Sequence, residues 1–370
     1  MSSDQLSRAP DPVNQSTARN AADPLDGILG MTVINALGSL DDPNLPEGAA
    51  RVLTARVIAD AHASGLTAVN CTLGYVVGDQ DPFKSSIAEI EIYDEKIRSN
   101  GNDLIKVLSV SDINRARAEK KIGLIYGFQN AVQLGDDPSR VRTFGDLGIR
   151  VIQLTYNGRN RLGDGATVLQ DEGLTPFGRE VIEQLNVNRM IVDLSHSGRQ
   201  TCLDAIQASK QPISINHTGC RAIVDLPRNK TDDELRQVAD RGGFVGIYFM
   251  PFLSNSGHPT AADVITHIEH AIDVCGEEHV GIGTDGGTTP VDNLGHYKIA
   301  LAKEYAERKA QGISAPGEGA DIHPFVDDIR GPDQFRKLYQ LMAQRGHSAS
   351  RIERVLGGNF MRYCSDVWMQ

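Results

Sequence analysis

The feature that most limits the possible folds of this chain is an alternation of short apolar stretches with segments of helical spacing. Eight apolar stretches have the length of buried strands, and we predict strands at 28–34, 66–71, 122–127, 149–154, 190–194, 212–216, 243–249 and 280–284. Helical sequence separates them, at 48–64, 84–99, 111–119, 138–147, 175–187, 200–209, 231–241 and 261–275. The pattern predicts an α/β fold, a (β/α)8 TIM barrel, rather than an open sheet.

The same rhythm indicates one domain. A chain of 370 residues can hold two, but α/β barrels of this length commonly form one. Residues 1–24 are predicted to be a polar N-terminal arm, and 25–370 a single barrel. Residues 286–330 interrupt the rhythm and are predicted to lie over the barrel mouth as a lid, with a solvated excursion or a subunit contact as the alternative. Closing helices are predicted at 333–345 and 348–356.

Composition and charge exclude several classes of protein. The net charge of −11 disfavours nucleic acid and an anionic membrane surface as partners, and no apolar run reaches the roughly 18 residues of a membrane span. The polar N-terminus lacks the apolar core of a secretory signal, and five scattered cysteines do not suit a disulfide framework. Neither a nucleotide-binding glycine motif nor G-x-S-x-G occurs. We therefore expect a cytoplasmic protein with a small-molecule partner.

Two neighbouring stretches deliver histidines to one end of the predicted barrel. MIVDLSHSG (190–198) and PISINHTGC (212–220) each indicate a short strand with His196 or His217 at or just past its C-terminal end. A helical stretch joins them, so both strands form a parallel βαβ unit with the imidazoles at the same edge. Histidines presented together there indicate a metal or catalytic pocket, whereas two separately hydrogen-bonded structural histidines are the alternative.

Other predicted strand ends add polar side chains to that mouth, where the functional groups of such barrels lie. These side chains are Asn70, Gln129, Tyr156, Asn157 and Asp285. Two histidines and the Asp285 carboxylate form a legitimate ligand set for one zinc or ferrous ion. An aspartate before two glycines also suits a turn, which is the alternative for Asp285.

Three residues outside the strand ends also carry predictions. Arg228 follows the second histidine and can fork onto a substrate carboxylate, although a solvated role is the usual alternative for a loop arginine. His267 and His270 lie three positions apart on one predicted helix, and we expect both to face solvent.

Six motifs together resemble the renal (membrane) dipeptidase family, metal-dependent members of the amidohydrolase-like barrels. The similarity runs over about 25–365, and LPRNKTDDEL alone is a strong marker. The motifs are VIQLTYNGRN (151–160), GLTPFGREVIEQLN (173–186), MIVDLSH (190–196), ISINHTGCRAIVDLPRNKTDDELRQVADRGGFVGI (213–247), VGIGTD (280–285) and GGNFMR (357–362).

The resemblance implies two zinc ions, a homodimer and a set of site residues. His196 and His217 match implied metal ligands, Asp285 the catalytic aspartate and Arg228 the arginine that takes the substrate carboxylate. The implied His-x-Asp of the first strand falls in DGILG (26–30), giving Ile28 and Gly30. The implied bridging glutamate falls on Gln129, and the implied histidine of the fourth strand on Tyr156.

These replacements bear on the metal. Two dications about 3.5 Å apart repel by roughly 19 kcal/mol at an effective dielectric constant of about 20, and carboxylates normally offset that repulsion. Here both carboxylates are replaced by residues without charge. We therefore expect one divalent ion on His196 and His217, zinc or alternatively iron, or no metal at all.

The sequence thus predicts a dipeptidase-like hydrolase acting on an amide or dipeptide-like small molecule that bears a carboxylate. Asp285 would move the proton, Tyr156 would donate to the oxyanion and Arg228 would anchor the carboxylate. Asn70, Gln129 and Asn157 are predicted to contact the substrate. A lyase or isomerase acting on a small carboxylate, and a non-catalytic binding barrel, are the alternatives.

Overall fold

The computed structural model describes residues 27–28, 30–46, 53–77 and 81–368. One sheet contains β1 (Ile34–Gly38), β2 (Ala68–Thr72), β3 (Leu104–Lys106), β4 (Ile122–Phe128), β5 (Ile149–Gln153), β6 (Ile191–Asp193), β7 (Ser214–Thr218), β8 (Phe244–Ile247) and β9 (Val280–Ile282). The strand pairs are parallel, in the order β1-β2-β4-β5-β6-β7-β8-β9. The short strand β3, which the sequence did not predict, pairs with the first half of β4, and β5 pairs with the second half. The predicted N-terminal arm, 1–24, lies outside the described residues.

Hydrogen bonds join the two ends of this strand order. The backbone N–H of Asp285 donates to Leu37 O at 2.9 Å, and that of Ser39 donates to Gly286 O at 3.3 Å. Asn35 adds a side-chain link, because its amide nitrogen donates to the Thr284 hydroxyl and its oxygen accepts from the Thr284 N–H. The sheet is therefore a nearly closed barrel of eight parallel strands, and the predicted (β/α)8 fold is confirmed.

Most helices lie on the outside of the barrel, within a few residues of the predicted positions. The helices are α1 (Ala55–Ala63), α2 (Pro82–Ser99), α3 (Val110–Glu119), α4 (Arg140–Asp146), α5 (Pro176–Val187), α6 (Arg199–Ala208), α7 (Asp232–Asp240), α8 (Ala261–Cys275), α9 (Leu294–Ala310), α10 (Gln334–Gln344), α11 (Ala349–Glu353) and α12 (Asn359–Trp368). The helix predicted at 48–64 is described only from Ala55, and the helix at Asn359–Trp368 was not predicted. Thr231 and Glu234 cap α7 reciprocally, which fixes its start. Within the described ranges, no helix has the combined length and apolarity that a membrane span requires.

The first strand was predicted too early in the chain. The apolar stretch ILGMTVI predicted a strand at 28–34, whereas β1 begins at Ile34. Gly30 has a φ of +98°, and the Met31 N–H donates to Ile28 O, so the chain turns before it enters the barrel. The C-terminal end of the first strand therefore presents Leu37 and Ser39, not Ile28 and Gly30.

The two ends of the barrel differ in their covering. At the N-terminal end, α12 contacts the strands, and Phe360 and Tyr363 pack against Phe244. The Tyr363 hydroxyl donates to Pro212 O just before β7. Because α12 covers the N-terminal end, the C-terminal ends of the strands are the face on which polar side chains can form a site.

His267 contradicts its prediction, because it is fully buried on α8. Its Nδ1 accepts from the Cys220 N–H at 2.9 Å, and its Nε2 lies 3.2 Å from Leu253 O. The imidazole thus ties the segment after β7 to the outer helix layer. His270 is partly exposed and its Nε2 lies 2.8 Å from the Asp232 carboxylate.

Candidate active site

One buried carboxylate fixes the two strand ends that carry the histidines. Asp193 accepts hydrogen bonds from the backbone N–H groups of Ser195 and Asn216, both at 3.0 Å, and from the Ser195 hydroxyl. The Ser195 oxygen in turn accepts from the His217 N–H at 3.1 Å. Because these donors follow β6 and belong to β7, Asp193 ties both strand ends together and aims both histidines at the same space.

His196 and His217 form a hydrogen-bonded pair. Their Nε2 atoms are 2.9 Å apart, and His196 Nδ1 lies 2.7 Å from Asn157 Oδ1. The Asn157 amide nitrogen donates to Ile313 O at 2.7 Å, so the atom that faces His196 is an oxygen, which can only accept. His196 therefore carries its proton on Nδ1, and His217 Nε2–H donates to the lone pair at His196 Nε2. Among the described residues, buried His217 Nδ1 has no hydrogen-bond partner.

Burial keeps both imidazoles neutral. It lowers the pKa of His196 well below its ordinary value, and Arg228, His217, Lys230 and Arg308 lower it further. The pKa of His217 is likewise lowered, first by burial and then by Arg228 and Lys230. Neutral imidazole is the form whose nitrogen can bind a metal ion or accept a proton.

Asp285 stands beside this pair in a strained backbone conformation. Its φ is +58°, in the left-handed region that few non-glycine residues occupy. One carboxylate oxygen lies 4.0 Å from His217 Nε2, and the other lies 3.5 Å from the Gln129 amide nitrogen. Burial raises the pKa of Asp285 to about 6, although Arg228, Arg308 and the Gln129 hydrogen bond act in the opposite direction. A carboxyl with such a pKa can take up and return a proton near neutral pH.

A cavity of about 480 Å³ lies over the barrel mouth. Gln129, Tyr156 and Asp285 reach it from the strand ends. The segment 286–331 supplies much of the remaining wall, including Tyr297, Leu301, Glu304, Arg308, Glu318, Phe325 and Arg330. We call the strand ends the floor of the site, and the segment 286–331, which contains α9, its roof. The volume is within the usual range for small-molecule sites.

The structure divides the predicted site residues into two groups. Gln129, Tyr156 and Asp285 line the cavity. The other five, His196, His217, Arg228, Asn157 and Asn70, are buried and are not among the described residues that line it. Arg228 Nη1 donates to Ser195 O at 2.5 Å, and the Asn70 amide nitrogen donates to Ala36 O at 2.8 Å. Asn157 contacts His196, as described above.

The donors present do not fit the two-metal centre that the resemblance implies. The first strand ends in Leu37 and Ser39, and Gln129, whose amide nitrogen donates to the Thr72 hydroxyl at 2.9 Å, stands where a bridging carboxylate is implied. Across the described ranges, no group of three or more His, Cys, Asp or Glu side chains has the arrangement to hold a metal ion. The nearest approach to such a group is the pair of histidine Nε2 atoms, 2.9 Å apart, with an Asp285 oxygen 4.0 Å from that of His217.

Sequence reasoning missed the residues that the roof contributes. Arg308, in the last turn of α9, forks onto Glu318 through Nε (3.0 Å) and Nη2 (2.8 Å), and its Nη1 donates to the Tyr156 hydroxyl oxygen at 3.2 Å. Arg308 stands among several charged residues of one helix. Nothing local in the sequence distinguishes it from Lys298 or Lys309, which are exposed.

Comparison with known proteins gives a family model and several relatives. The model of the membrane dipeptidase family, peptidase family M19, matches residues 60–311. An uncharacterized dipeptidase of Schizosaccharomyces pombe is 31% identical over 253 residues, which cover 67% of this chain and 53% of that protein. Dipeptidase tcpJ of Claviceps purpurea is 27% identical over 260 residues, covering 69% and 53%. The match thus spans about half the length of these two relatives.

A solved structure gives a fuller match. The crystal structure of an amidohydrolase from Pseudomonas aeruginosa is 30% identical, with a TM-score of 0.78 over 94% of this chain and 99% of that one. The residues that the family model matches include His196, His217 and Asp285. The chain therefore belongs to the membrane dipeptidase family, peptidase family M19, a family of metal-dependent hydrolases.

Proposed function

We propose that this protein hydrolyses an amide bond in a dipeptide-like small molecule that bears a carboxylate, and that it does so with at most one metal ion. The observation that carries this proposal is the placement of Asp285, at a pKa of about 6, between the neutral histidine pair and the cavity. The two relatives named as dipeptidases support the substrate class.

The residues of the floor divide the chemistry between them. Asp285 accepts a proton from the attacking water, whose oxygen adds to the amide carbonyl carbon, and the carbonyl oxygen becomes an oxyanion. Tyr156 lines the same cavity and donates a hydrogen bond to that oxyanion. Asp285 then returns its proton to the leaving nitrogen, the C–N bond breaks, and a carboxylic acid and an amine result. Gln129, which lies 3.5 Å from the Asp285 carboxylate, orients it.

His196 and His217 would hold the single ion, zinc or iron, through Nε2. Such an ion supplies polarisation of a carbonyl and a lower pKa of bound water. Asn157 prepares His196 for this role, since its oxygen holds the proton on Nδ1 and leaves the lone pair on Nε2. His217 would bind through Nε2 once its proton has moved to Nδ1, which has no partner among the described residues. Arg228, whose charge also acts on Asp285, remains the proposed anchor of the substrate carboxylate.

A second candidate is a lyase or isomerase that uses the same floor. Asp285, with its raised pKa and with Tyr156 on the same cavity, is equally suited to remove a proton next to a carbonyl group without addition of water. Reaction in H₂¹⁸O separates the two candidates. Hydrolysis places one ¹⁸O atom in the acid product, whereas elimination or isomerisation leaves the product unlabelled.

Metal content and turnover of the purified chain test the main proposal. We expect no more than one zinc or iron per chain by elemental analysis, and turnover within a panel of dipeptides and N-acyl amino acids. His196→Ala and His217→Ala should each lose the metal and the turnover, while His270→Ala, on the outside of α8, should keep both. Two metals per chain with robust dipeptide turnover would contradict the reduced centre. Histidine variants that lose turnover but keep full ligand affinity fit the proposal. A wild-type chain that binds ligands but turns over none of them supports a binding barrel instead.

A further inference from the structure

The roof contacts two consecutive residues of the floor, both of which touch His196. Ile313 O accepts a hydrogen bond from Asn157, whose oxygen faces His196 Nδ1. Arg308 donates to Tyr156, whose ring is stacked on the His196 imidazole with centroids 4.3 Å apart and 22° between the planes. The roof is thus connected to the histidine pair through side chains and does more than cover it.

Arg308 is held firmly enough to position a neighbour. Glu318 accepts from two of its nitrogens, and the side chains of Arg308 and Glu318 are only 23% and 16% exposed. A bidentate pair of this kind fixes the plane of the guanidinium, because rotation about any bond of the arginine would break at least one hydrogen bond. Its third nitrogen, Nη1, is thereby directed at the Tyr156 oxygen.

The direction of that hydrogen bond is certain from chemistry. A guanidinium has only donors, so the Tyr156 oxygen must accept and its own O–H must point elsewhere. No described residue accepts from the Tyr156 O–H, and Tyr156 lines the cavity. The proton is therefore available to a molecule that enters the cavity.

We infer that Arg308 is a positioning residue of the active site, which turns the Tyr156 O–H toward the substrate oxygen that becomes negative during the reaction. This inference rests on the proposed hydrolysis and adds a roof residue to its machinery. Arg308 acts through Tyr156, because its fork of Nε and Nη2 is occupied by Glu318 and its Nη1 donates to the Tyr156 oxygen.

A double-mutant cycle of Arg308→Met and Tyr156→Phe tests this assignment. Tyr156→Phe should lower kcat by about 100-fold, as loss of an oxyanion donor typically does. Arg308→Met should lower kcat by about 10-fold with KM little changed, because the donor is still present but poorly aimed. The cycle is measured at a pH well above 6, where Asp285 is ionised in every variant. In the Tyr156→Phe background, Arg308→Met should then have almost no further effect. With Tyr156 present, Arg308→Lys, which keeps one donor, should lose less activity than Arg308→Met.

Two comparisons exclude other roles for Arg308. If it bound the substrate carboxylate, Arg308→Met would raise KM, the two losses would multiply, and an amide-capped substrate would be insensitive to the change; this pattern would overturn the inference. Lys298→Met removes a cation from the exposed face of the same helix and should leave kcat unchanged. An unchanged thermal melting curve for Arg308→Met separates lost positioning from lost folding.

Binding of a phosphinic dipeptide isostere supplies a readout without turnover. Its affinity should fall in Arg308→Met, and that fall should disappear in the Tyr156→Phe background. If the wild-type chain turns over its substrate but the losses of affinity in the two single variants add up in the double variant, only the inference is contradicted. A wild-type chain with neither turnover nor isostere binding contradicts the proposed function itself and the inference with it.

Discussion

The floor and the roof of the cavity are built in different ways. The floor consists of strand ends, where Asp193 bonds to neighbouring backbone groups and fixes both histidines. The roof is one long segment, and it reaches the histidine pair through Asn157 and Tyr156. The barrel therefore supplies the reacting groups, while the segment after the last strand orients Tyr156 and Asn157, which contact His196.

Asp285→Asn is the change with the largest expected effect, because it removes the proton acceptor of the floor and leaves the roof untouched. Asparagine tolerates the left-handed φ of +58°, so the backbone should be preserved. We expect kcat/KM to fall by about 10³-fold. In the wild type, the base must be ionised, so kcat/KM should fall as the pH decreases through about 6, the pKa of Asp285.

Rates between pH 4.5 and 8 check both parts of this prediction. The residual rate of Asp285→Asn should lack the acidic limb near pH 6. If the variant keeps that limb, another group carries it and Asp285 is not the base.

The floor was largely predictable from the sequence, because its signals are local. His196 and His217 belong to adjacent βα units, and parallel strands place their C-terminal ends together. The Asp285 prediction used the same rule. The first strand was predicted too early because apolar character alone cannot distinguish a buried turn at Ile28 from a barrel strand. Asn35, which helps to close the barrel, also interrupts the apolar character of the true strand.

The roof was not predictable to the same degree. Its position over the mouth could be expected from its place after the last strand, but its contacts join residues far apart in sequence. Arg308 and Tyr156 are 152 residues apart, and Asn157 and Ile313 are 156 apart. In neither pair does a neighbouring residue in the sequence indicate the contact, so the contact is seen only in the folded structure.

Asn157 joins floor and roof, and its substitution measures how much each contact matters. Asn157→Ala removes both bonds and should lower kcat/KM by about 10- to 100-fold, the usual cost of losing a residue that orients a catalytic or metal-binding histidine. Asn157→Asp keeps an acceptor for His196 Nδ1 but cannot donate to Ile313 O. We expect Asn157→Asp to have a rate between those of the wild type and Asn157→Ala. A rate within twofold of wild type for the alanine variant would show that neither contact aims His196.

His267 supports the floor from outside the barrel, and its effect should appear in stability. Burial lowers its pKa from 6.5 to about 4, so between these values the unfolded chain binds a proton that the folded chain does not. The titration of His267 should therefore leave the free energy of unfolding unaffected above pH 6.5 and should lower it as the pH decreases toward 4. The loss attributable to His267 should be about 2 kcal/mol between pH 7.5 and 5.

Urea unfolding at both pH values checks this expectation, with His267→Gln as the comparison, since glutamine does not titrate. The variant should be less stable at pH 7.5 because the Cys220 N–H loses its acceptor, but its stability should depend less on pH. An equal pH dependence in both proteins would place the titration elsewhere.

The smallest effect is expected at the outer edge of the roof, where Asp292 and Arg56 form a bidentate pair at 2.6 and 2.7 Å. Both side chains are largely solvent-exposed, at 54% and 40%, and exposed ion pairs contribute little. Asp292→Ala should shift the melting temperature by no more than about 2 °C and leave kcat unchanged. This result would differ sharply from that of Arg308→Met, although both changes remove one ion pair of the same segment. If Asp292→Ala instead lowers kcat as Arg308→Met does, the roof acts by closing as a whole, and not through the hydrogen bond that Arg308 donates to Tyr156.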